Sequence, residues 1–444
     1  MILNLIFAIF VAMLIVVVCM IKVRHFDMNL KKWTFFFIAF FYGLIFAFVF
    51  VFTYIGANNQ SNIEKLQQFN YLDFIIYFVS VMLLILGVSV GFRCKIKAHG
   101  LINENNEIFL DDSNKFKRKL AIFSIFMLFV SIVTYYLYAK AYGGFLGLLD
   151  NTMAIRNGVS RIYNQWSFFQ KFGSISNISA FCLFAVYMDK KAGNKLRYFA
   201  FSFWIIAVLF SFYVIYSQGG RGAMINSLLV YILTVGFRYK SNLWSALLKH
   251  WRKLCIVPIS FLIMNMAWNR TEITSIPTLI SSGYSYLYLS FYVNIHSNKF
   301  RFFYDLLIMP LMFLPSSLYS KWGVTTANQF NTYLSQGGYK GDVLGGKIIT
   351  GESTTGMLTF AYMQLSIVGV FIIGLLFGLC VKKWNNRLEK MSEGSFKNVL
   401  YAYYIVYFIY NGIGGGDTSA LIISNFSYFL FFFIFKLCYR IKLM

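Results

Sequence analysis

Residues Tyr216–Asn226 read YSQGGRGAMIN, and the arginine in this stretch is the side chain that most asks for a chemical role. Arg221 stands between glycines on a turn barely long enough to join two strongly apolar segments, FAFSFWIIAVLFSFYVIY before it and AMINSLLVYILTVGF after it. A passive turn would be served as well by Asn or Ser. Gly219, Gly220 and Gly222 let the backbone come close to a ligand, because no Cβ intervenes. The segment that follows is expected to start a helix here, so its free N–H groups and positive dipole end face the same spot. A planar guanidinium grips phosphate oxygens in a fork, which an ammonium does less well. An arginine at a helix N-terminus therefore makes a site for a pyrophosphate.

The elements that must hold this turn are membrane helices. Hydrophobic residues make up 59% of the 444-residue chain and charged ones only 13%, and apolar runs recur along its whole length. Crossing ~30 Å of hydrocarbon takes ~20 apolar residues in a helix. Backbone groups must bond internally there, so only a helix bundle or a closed barrel is stable, and the unbroken apolar runs exclude the alternation of a barrel. The expected fold is an all-α polytopic helix bundle of about eleven spans: 2–21, 33–55, 71–92, 120–139, 166–187, 198–216, 223–237, 255–268, 356–380, 399–413 and 420–435. The first run has no basic leader and no small-residue cleavage site, so it is taken as a retained span. With no repeat and no linker, residues 1–444 read as one integral domain.

A net charge of +24 would suggest nucleic acid in a soluble protein, but here it follows the positive-inside rule, and no nucleic acid is expected. Alternate loops are basic, among them KVRHFDMNLKK, DKKAGNKLR and KKWNNRLEK, while the other set is poor in Lys and Arg. The alternation puts the N-terminus outside, the C-terminus in the cytoplasm and SQGGRG outside. The six cysteines fall in spans or at cytoplasmic ends, with no disulfide or CxxC pattern.

On the outer face one connection, residues 269–355, is far longer than an ordinary loop and is expected to carry function. Within it RFFYDLLIMPLMFLPSSLY reads as an interfacial amphipathic helix or a re-entrant segment. It is studded with Tyr and Asn: the tyrosines serve as bilayer anchors, or aromatic faces and amide groups together line a sugar-binding cleft. Outer arginines are few: Arg156, Arg161, Arg221, Arg270 and Arg301. Arg156, Arg221 and Arg270 each flank the outer end of a span, where they contact lipid phosphates, pair with Asp150 and Glu272, or together form an anion clamp.

The outer carboxylates, including Asp73, Asp305, Asp342, Glu352 and Asp417, are scattered, with no DxD and no His-containing cluster, so no metal and no cofactor is expected. His296 is the one outer histidine, a surface residue or a proton acceptor. Glu352, in TGESTTG just before a span, is a general-base candidate or simply part of a helix start. There is no P-loop, GxGxxG, GxSxG or HExxH, so a reaction would draw on an activated lipid donor.

Three stretches resemble the oligosaccharide repeat-unit polymerases of bacterial envelopes, the O-antigen polymerase (Wzy-type) family, and in particular the branch that includes the enterobacterial common antigen polymerase. They are YVIYSQGGRGAMINSLLVYIL, then MFLPSSLYSKWG with TTANQFN and ESTTGMLTFAYMQLSIVGVFIIGLLFGL, and finally GGGDTSALIISNFSYFLFF. The likeness runs from about residue 120 to the end and has Tyr362, Gly369 and Gly374 in place. It implies a glycosyltransferase of the bacterial inner membrane, with a periplasmic N-terminus and a cytoplasmic C-terminus. Its donor and acceptor would be glycan units on undecaprenyl pyrophosphate, its surroundings membrane lipids, and its partner a chain-length regulator protein. The resemblance lands on Arg221 most firmly, then on Arg270 and Arg156, and leaves the base unassigned. His296 and Glu352 stay the catalytic candidates read from their positions, and Arg156, Gly220, Gly222, Asp342 and Tyr362 are the candidates for binding substrate. The histidine of the related O-antigen ligases has no clear counterpart. The rival readings are a flippase, which would want discontinuous helices and charges at mid-membrane, and an O-antigen ligase.

Overall fold

The structure, a computed structural model, describes residues 70–94, 113–157, 162–219, 221–239, 289–314 and 319–440. Helices of nine residues or more are numbered along the chain: α1 (Tyr71–Arg93), α2 (Asn114–Lys140), α3 (Ile175–Met188), α4 (Asn194–Ser217), α5 (Arg221–Tyr239), α6 (289–297), α7 (Ala327–Gln336), α8 (Gly356–Glu389), α9 (Ser395–Tyr403) and α10 (Thr418–Arg440). Among the described residues six helices are long and apolar enough to cross a membrane: Leu72–Arg93, Asn114–Lys140, Ser167–Met188, Asn194–Ser217, Gly356–Glu389 and Leu421–Tyr439. Large apolar side chains such as Phe126, Phe129, Leu209 and Phe433 point outward from them, a surface that water would not tolerate. This is an all-α helical membrane protein.

Three expected spans, 2–21, 33–55 and 255–268, lie outside the described residues. The run 223–237 is the body of α5, whose apolar part, Gly222–Arg238, is shorter than the six. The run 399–413 is no single α-helix: α9 passes into seven π-helical residues, Tyr404–Tyr410, and a short helix Asn411–Gly415. The proline-broken stretch of the long loop, expected as an interfacial helix or a re-entrant segment, is not one continuous helix over its described residues 301–314. Phe302 and Phe303 adopt left-handed backbone (φ 46° and 60°), a four-residue helix Tyr304–Leu307 follows, and Pro310 opens a 3₁₀ turn Met309–Phe313.

By contacts the chain divides into two compact units. The first comprises Met1–Ile96, Arg270–Asn385 and Tyr407–Ile423. In it α1 opens on a reciprocal cap: the Asp73 N–H donates to Asn70 Oδ1 (2.9 Å), and the Asn70 N–H to Asp73 Oδ2 (3.1 Å). Helices α1 and α8 touch backbone to backbone through two GxxxG pairs, Gly87/Gly91 and Gly374/Gly378. A Cβ on Gly91 would sit 2.2 Å from the Leu375 carbonyl oxygen, and one on Gly378 2.3 Å from that of Val88. The Lys382 ammonium closes the end of α1 on the Cys94 carbonyl.

Helix α8 is broken at Leu365 (φ −160°, ψ 50°) and Ser366 (φ 53°, ψ −144°). A Cβ on Gly369 would lie 2.5 Å from the Ala361 carbonyl oxygen, although eight residues of straight helix would rise ~12 Å. The break frees backbone acceptors, and the loop strand before Tyr304 takes two of them. Arg301 N–H donates to Met363 O and Phe302 N–H to Gln364 O, both at 2.9 Å.

The second unit comprises Lys97–Asn269, Asn386–Val406 and Ser424–Met444. Its centre is α3, all 14 residues of which are buried. Small side chains at Ser176, Ser179, Ala180 and Ala185 let α2 and α4 pack closely on it. Phe184, Trp204 and Tyr231 form an aromatic core, and Tyr403 stacks on Tyr428 at 4.6 Å. Two short helices, Gly144–Asp150 and Thr152–Asn157, cross the end of α2 and α4, fixed by Tyr213 Oη donating to the Phe145 carbonyl (2.7 Å).

Candidate functional site

In the second unit, α4 ends at Ser217, whose hydroxyl lies 2.6 Å from Tyr135 Oη of α2 and is thereby pinned. The chain then turns through Gln218 and Gly219 (φ 72°) and begins α5 at Arg221. Gly219 serves two ends at once. Its positive φ suits glycine, and a Cβ there would come 2.7 Å from Arg156 Cδ. The stem of Arg156 therefore lies across the turn that leads into Arg221. Arg156 is exposed at the end of the helix Thr152–Asn157 and has no ion pair among the described residues, Asp150 included. Helix α5 presents its opening N–H groups at the same turn. Gly222 is exposed, with nothing within 4 Å of where a Cβ would be. Arg156 and the positive end of α5, which opens at Arg221, are thus brought to one turn of bare backbone. Gly220 and Arg270 lie outside the described residues.

The remaining expected site residues belong to the first unit. His296, near the end of α6, places Nε2 3.3 Å from Asp73 Oδ2; the aspartate side chain is 2% exposed and the imidazole 47%. The Tyr292 ring lies 4.6 Å from the imidazole, and its phenol is pushed up first by lost hydration and then by the charge of Asp73. Glu352 sits on the strand into α8 at the protein surface. Lost hydration pushes its carboxyl above the ordinary range; Lys340 opposes this and the Asp417 charge adds to it. Asp342 holds a turn: its carboxylate accepts the Tyr339 N–H (2.7 Å) beside the hairpin Val343–Leu344/Lys347–Ile348. Tyr362 is buried against Phe291 and Phe300, at 5.1 and 6.4 Å between ring centres.

The loop amides, read as part of the lining of a sugar cleft, are largely spent on the fold. Asn331 Nδ2 donates to Ser353 O (2.8 Å) and Ser290 Oγ (3.0 Å), and Asn294 Nδ2 donates to Asn331 Oδ1 (2.8 Å). Asn328 accepts the Thr355 N–H on its side chain (3.1 Å) and gives its own N–H to Asp417 (3.1 Å). Gly416 packs on Gly356 so closely that a Cβ would stand 2.1 Å from the Gly356 carbonyl carbon. Together these bonds fix the strand that carries Glu352.

Sequence inspection missed the pairing of Asp73 with His296 and the use made of Arg301. Arg301 grips Asp305 with two bonds (2.6 and 2.8 Å) and the Thr325 carbonyl with a third (2.6 Å), and its plane lies over Tyr304 and Phe330. Gln364 Nε2 adds a bond to the same carboxylate (2.9 Å). The i,i+4 spacing of Arg301 and Asp305 was the available signal. No group of three or more His, Cys, Asp or Glu side chains among the described residues is arranged to hold a metal ion. The chain matches no protein-family model, no curated protein and no solved structure.

Proposed function

We propose that the chain polymerises lipid-linked oligosaccharide repeat units at the outer face of a bacterial inner membrane. A hydroxyl of one unit attacks the anomeric carbon of another, and undecaprenyl pyrophosphate leaves. The observation that carries this reading is the turn at Gly219, where Arg156 lies across the backbone that runs into Arg221 and the start of α5. Such a cluster of donors stabilises the charge that develops on a departing pyrophosphate, a role that commonly dominates transfer reactions of this kind. The positive-inside pattern supports an outer position for this turn, within a bundle of about eleven spans and one large external loop, with the N-terminus periplasmic and the C-terminus cytoplasmic.

The test is polymerisation of a lipid-linked repeat unit by the purified chain, read as product length, beside the amount of protein in the membrane. Arg221→Ala should lose ~3 kcal/mol of transition-state stabilisation, over a hundredfold in rate, with insertion unchanged. Arg221→Lys should keep part of the activity, since charge remains and the fork is lost. Full-length product from Arg221→Ala would leave the arginine a lipid anchor and remove the support for the reading.

A second reading, a flippase for the same lipid-linked unit, is favoured by the broken helix α8 with Arg301, Asp305 and Gln364 buried beside the break. Gln364 Oε1 is buried without a hydrogen-bond partner among the described residues. Discontinuous helices and intramembrane charges are features of transporters. Deleting the gene separates the two on a gel of surface polysaccharide. Loss of a polymerase leaves single units on the core, and loss of a flippase strands units inside.

A further inference from the structure

We infer that Asp73 is a positioning residue for His296: its buried carboxylate holds the imidazole as the Nε2–H tautomer and leaves Nδ1 bare to take the proton of an attacking sugar hydroxyl. This assignment rests on the polymerase reading above.

Three features of the pair argue for it. The carboxylate is held independently of the histidine, because Asp73 Oδ2 also accepts the Asn70 N–H in the cap of α1 (3.1 Å). It sits in the first turn of that helix, where the dipole favours the anion, and an ionised carboxylate can only accept. The hydrogen shared between Nε2 and Oδ2 at 3.3 Å therefore belongs to the ring. The exposures also differ in the useful direction: 2% for the Asp73 side chain beneath and 47% for His296 above, so the imidazole is anchored on one edge and open on the other. Finally, Nδ1 has no hydrogen-bond partner among the described residues, and the Tyr292 ring packs 4.6 Å from the imidazole.

In the step itself the acceptor oxygen forms a bond to the anomeric carbon, and the bond from that carbon to the pyrophosphate oxygen breaks. The bonding pair leaves with the lipid pyrophosphate. The hydroxyl proton passes to Nδ1, giving an imidazolium stabilised by the Asp73 charge, and is later released to water. A positioned base of this kind contributes ~10²–10⁴-fold.

The tautomer is measurable without turnover. The full-length protein would be labelled with ¹⁵N-histidine and placed in lipid bilayers, and the His296 signals identified among four histidines by their loss in His296→Gln. The expected wild-type spectrum of the neutral ring has the proton on Nε2 and a bare Nδ1; a proton on Nδ1, or an even mixture, overturns the assignment. Asp73→Asn keeps a side-chain acceptor for the cap but can donate to Nε2, so the tautomer should shift to Nδ1–H. With it kcat should fall ~10²-fold or more while KM stays near wild type. Wild-type kcat in Asp73→Asn or in His296→Gln overturns the dyad while leaving the polymerase reading intact. Failure of the wild-type protein to extend lipid-linked units overturns that reading and the role of the dyad with it, whatever the spectrum.

Discussion

Arg156 and Arg301 are the same side chain in opposite circumstances. Arg301 is buried, with donors committed to Asp305, to the Thr325 carbonyl and to Thr325 Oγ1. Arg156 is exposed, lies along the backbone of Gly219 and has no carboxylate to neutralise it among the described residues. A guanidinium whose fork is filled by the protein holds the fold; one whose fork is open is available to a ligand. The glycines divide in the same way. Gly91 and Gly378 are small because another backbone occupies the space, whereas Gly222 has nothing near it. Residue type is shared within each of these pairs, so it alone does not identify a site.

The sharpest way to break the comparison is Arg301→Ala. It leaves the Asp305 carboxylate, 2% exposed, without its counter-charge, and an orphaned buried ion costs ~3–5 kcal/mol. The expected outcome is a large fall in the amount of folded protein recovered from membranes. Normal protein levels with no polymer would make Arg301 a working residue and erase the distinction from Arg156.

Next in size is Gly378→Ala, expected to cost ~1–3 kcal/mol because the new methyl would meet the Val88 carbonyl oxygen at 2.3 Å and force α1 and α8 apart. Thermal unfolding in detergent would read this as a lowered midpoint, while Gly222→Ala, with open space around it, should leave the midpoint within error of wild type.

A smaller effect is expected on the arginine turn. Arg156→Ala should slow polymerisation by about tenfold, the worth of one charge-assisted bond of ~1.5 kcal/mol, at unchanged protein level. Gly219→Ala should reproduce it, since the methyl would collide with Arg156 Cδ at 2.7 Å. Shortened chains from Arg156→Ala but not from Gly219→Ala would mean that the contact between them carries no function.

These contrasts also mark what the sequence could disclose. Span positions were legible because a bilayer demands length and apolarity, and the expected 71–92, 120–139, 166–187 and 198–216 lie within a few residues of the observed helices. The start of α5 at Arg221 was legible from glycines and the apolar run after them. The break at Leu365–Ser366 was not, because neither residue is Gly or Pro and the conformation is held from outside by the N–H groups of Arg301 and Phe302. The partnership of Asp73 with His296 joins residues 223 apart, a separation no local pattern reports.

The smallest expected effect separates the two base candidates. The Glu352 carboxyl is pushed up by lost hydration and by Asp417, against the pull of Lys340, so the folded chain holds this proton more tightly than the unfolded chain does. Ionising it therefore opposes folding. The deficit is absent below the ordinary glutamate value of 4.5, grows as pH rises towards the raised value, and is constant above it. Glu352→Gln removes the ionisation, so its unfolding midpoint should match wild type in acid and lie modestly above it near neutrality. Because Asn331 and Asn328 hold the segment after Glu352 at Ser353 and Thr355, the loop should keep its shape in the variant. Midpoints that differ equally at both ends of the pH range would trace the change to packing rather than to charge. A loss of polymer in Glu352→Gln at normal protein level would give the proton-accepting role to this carboxylate and take it from His296, whose ring would then be no more than a partner that covers Asp73.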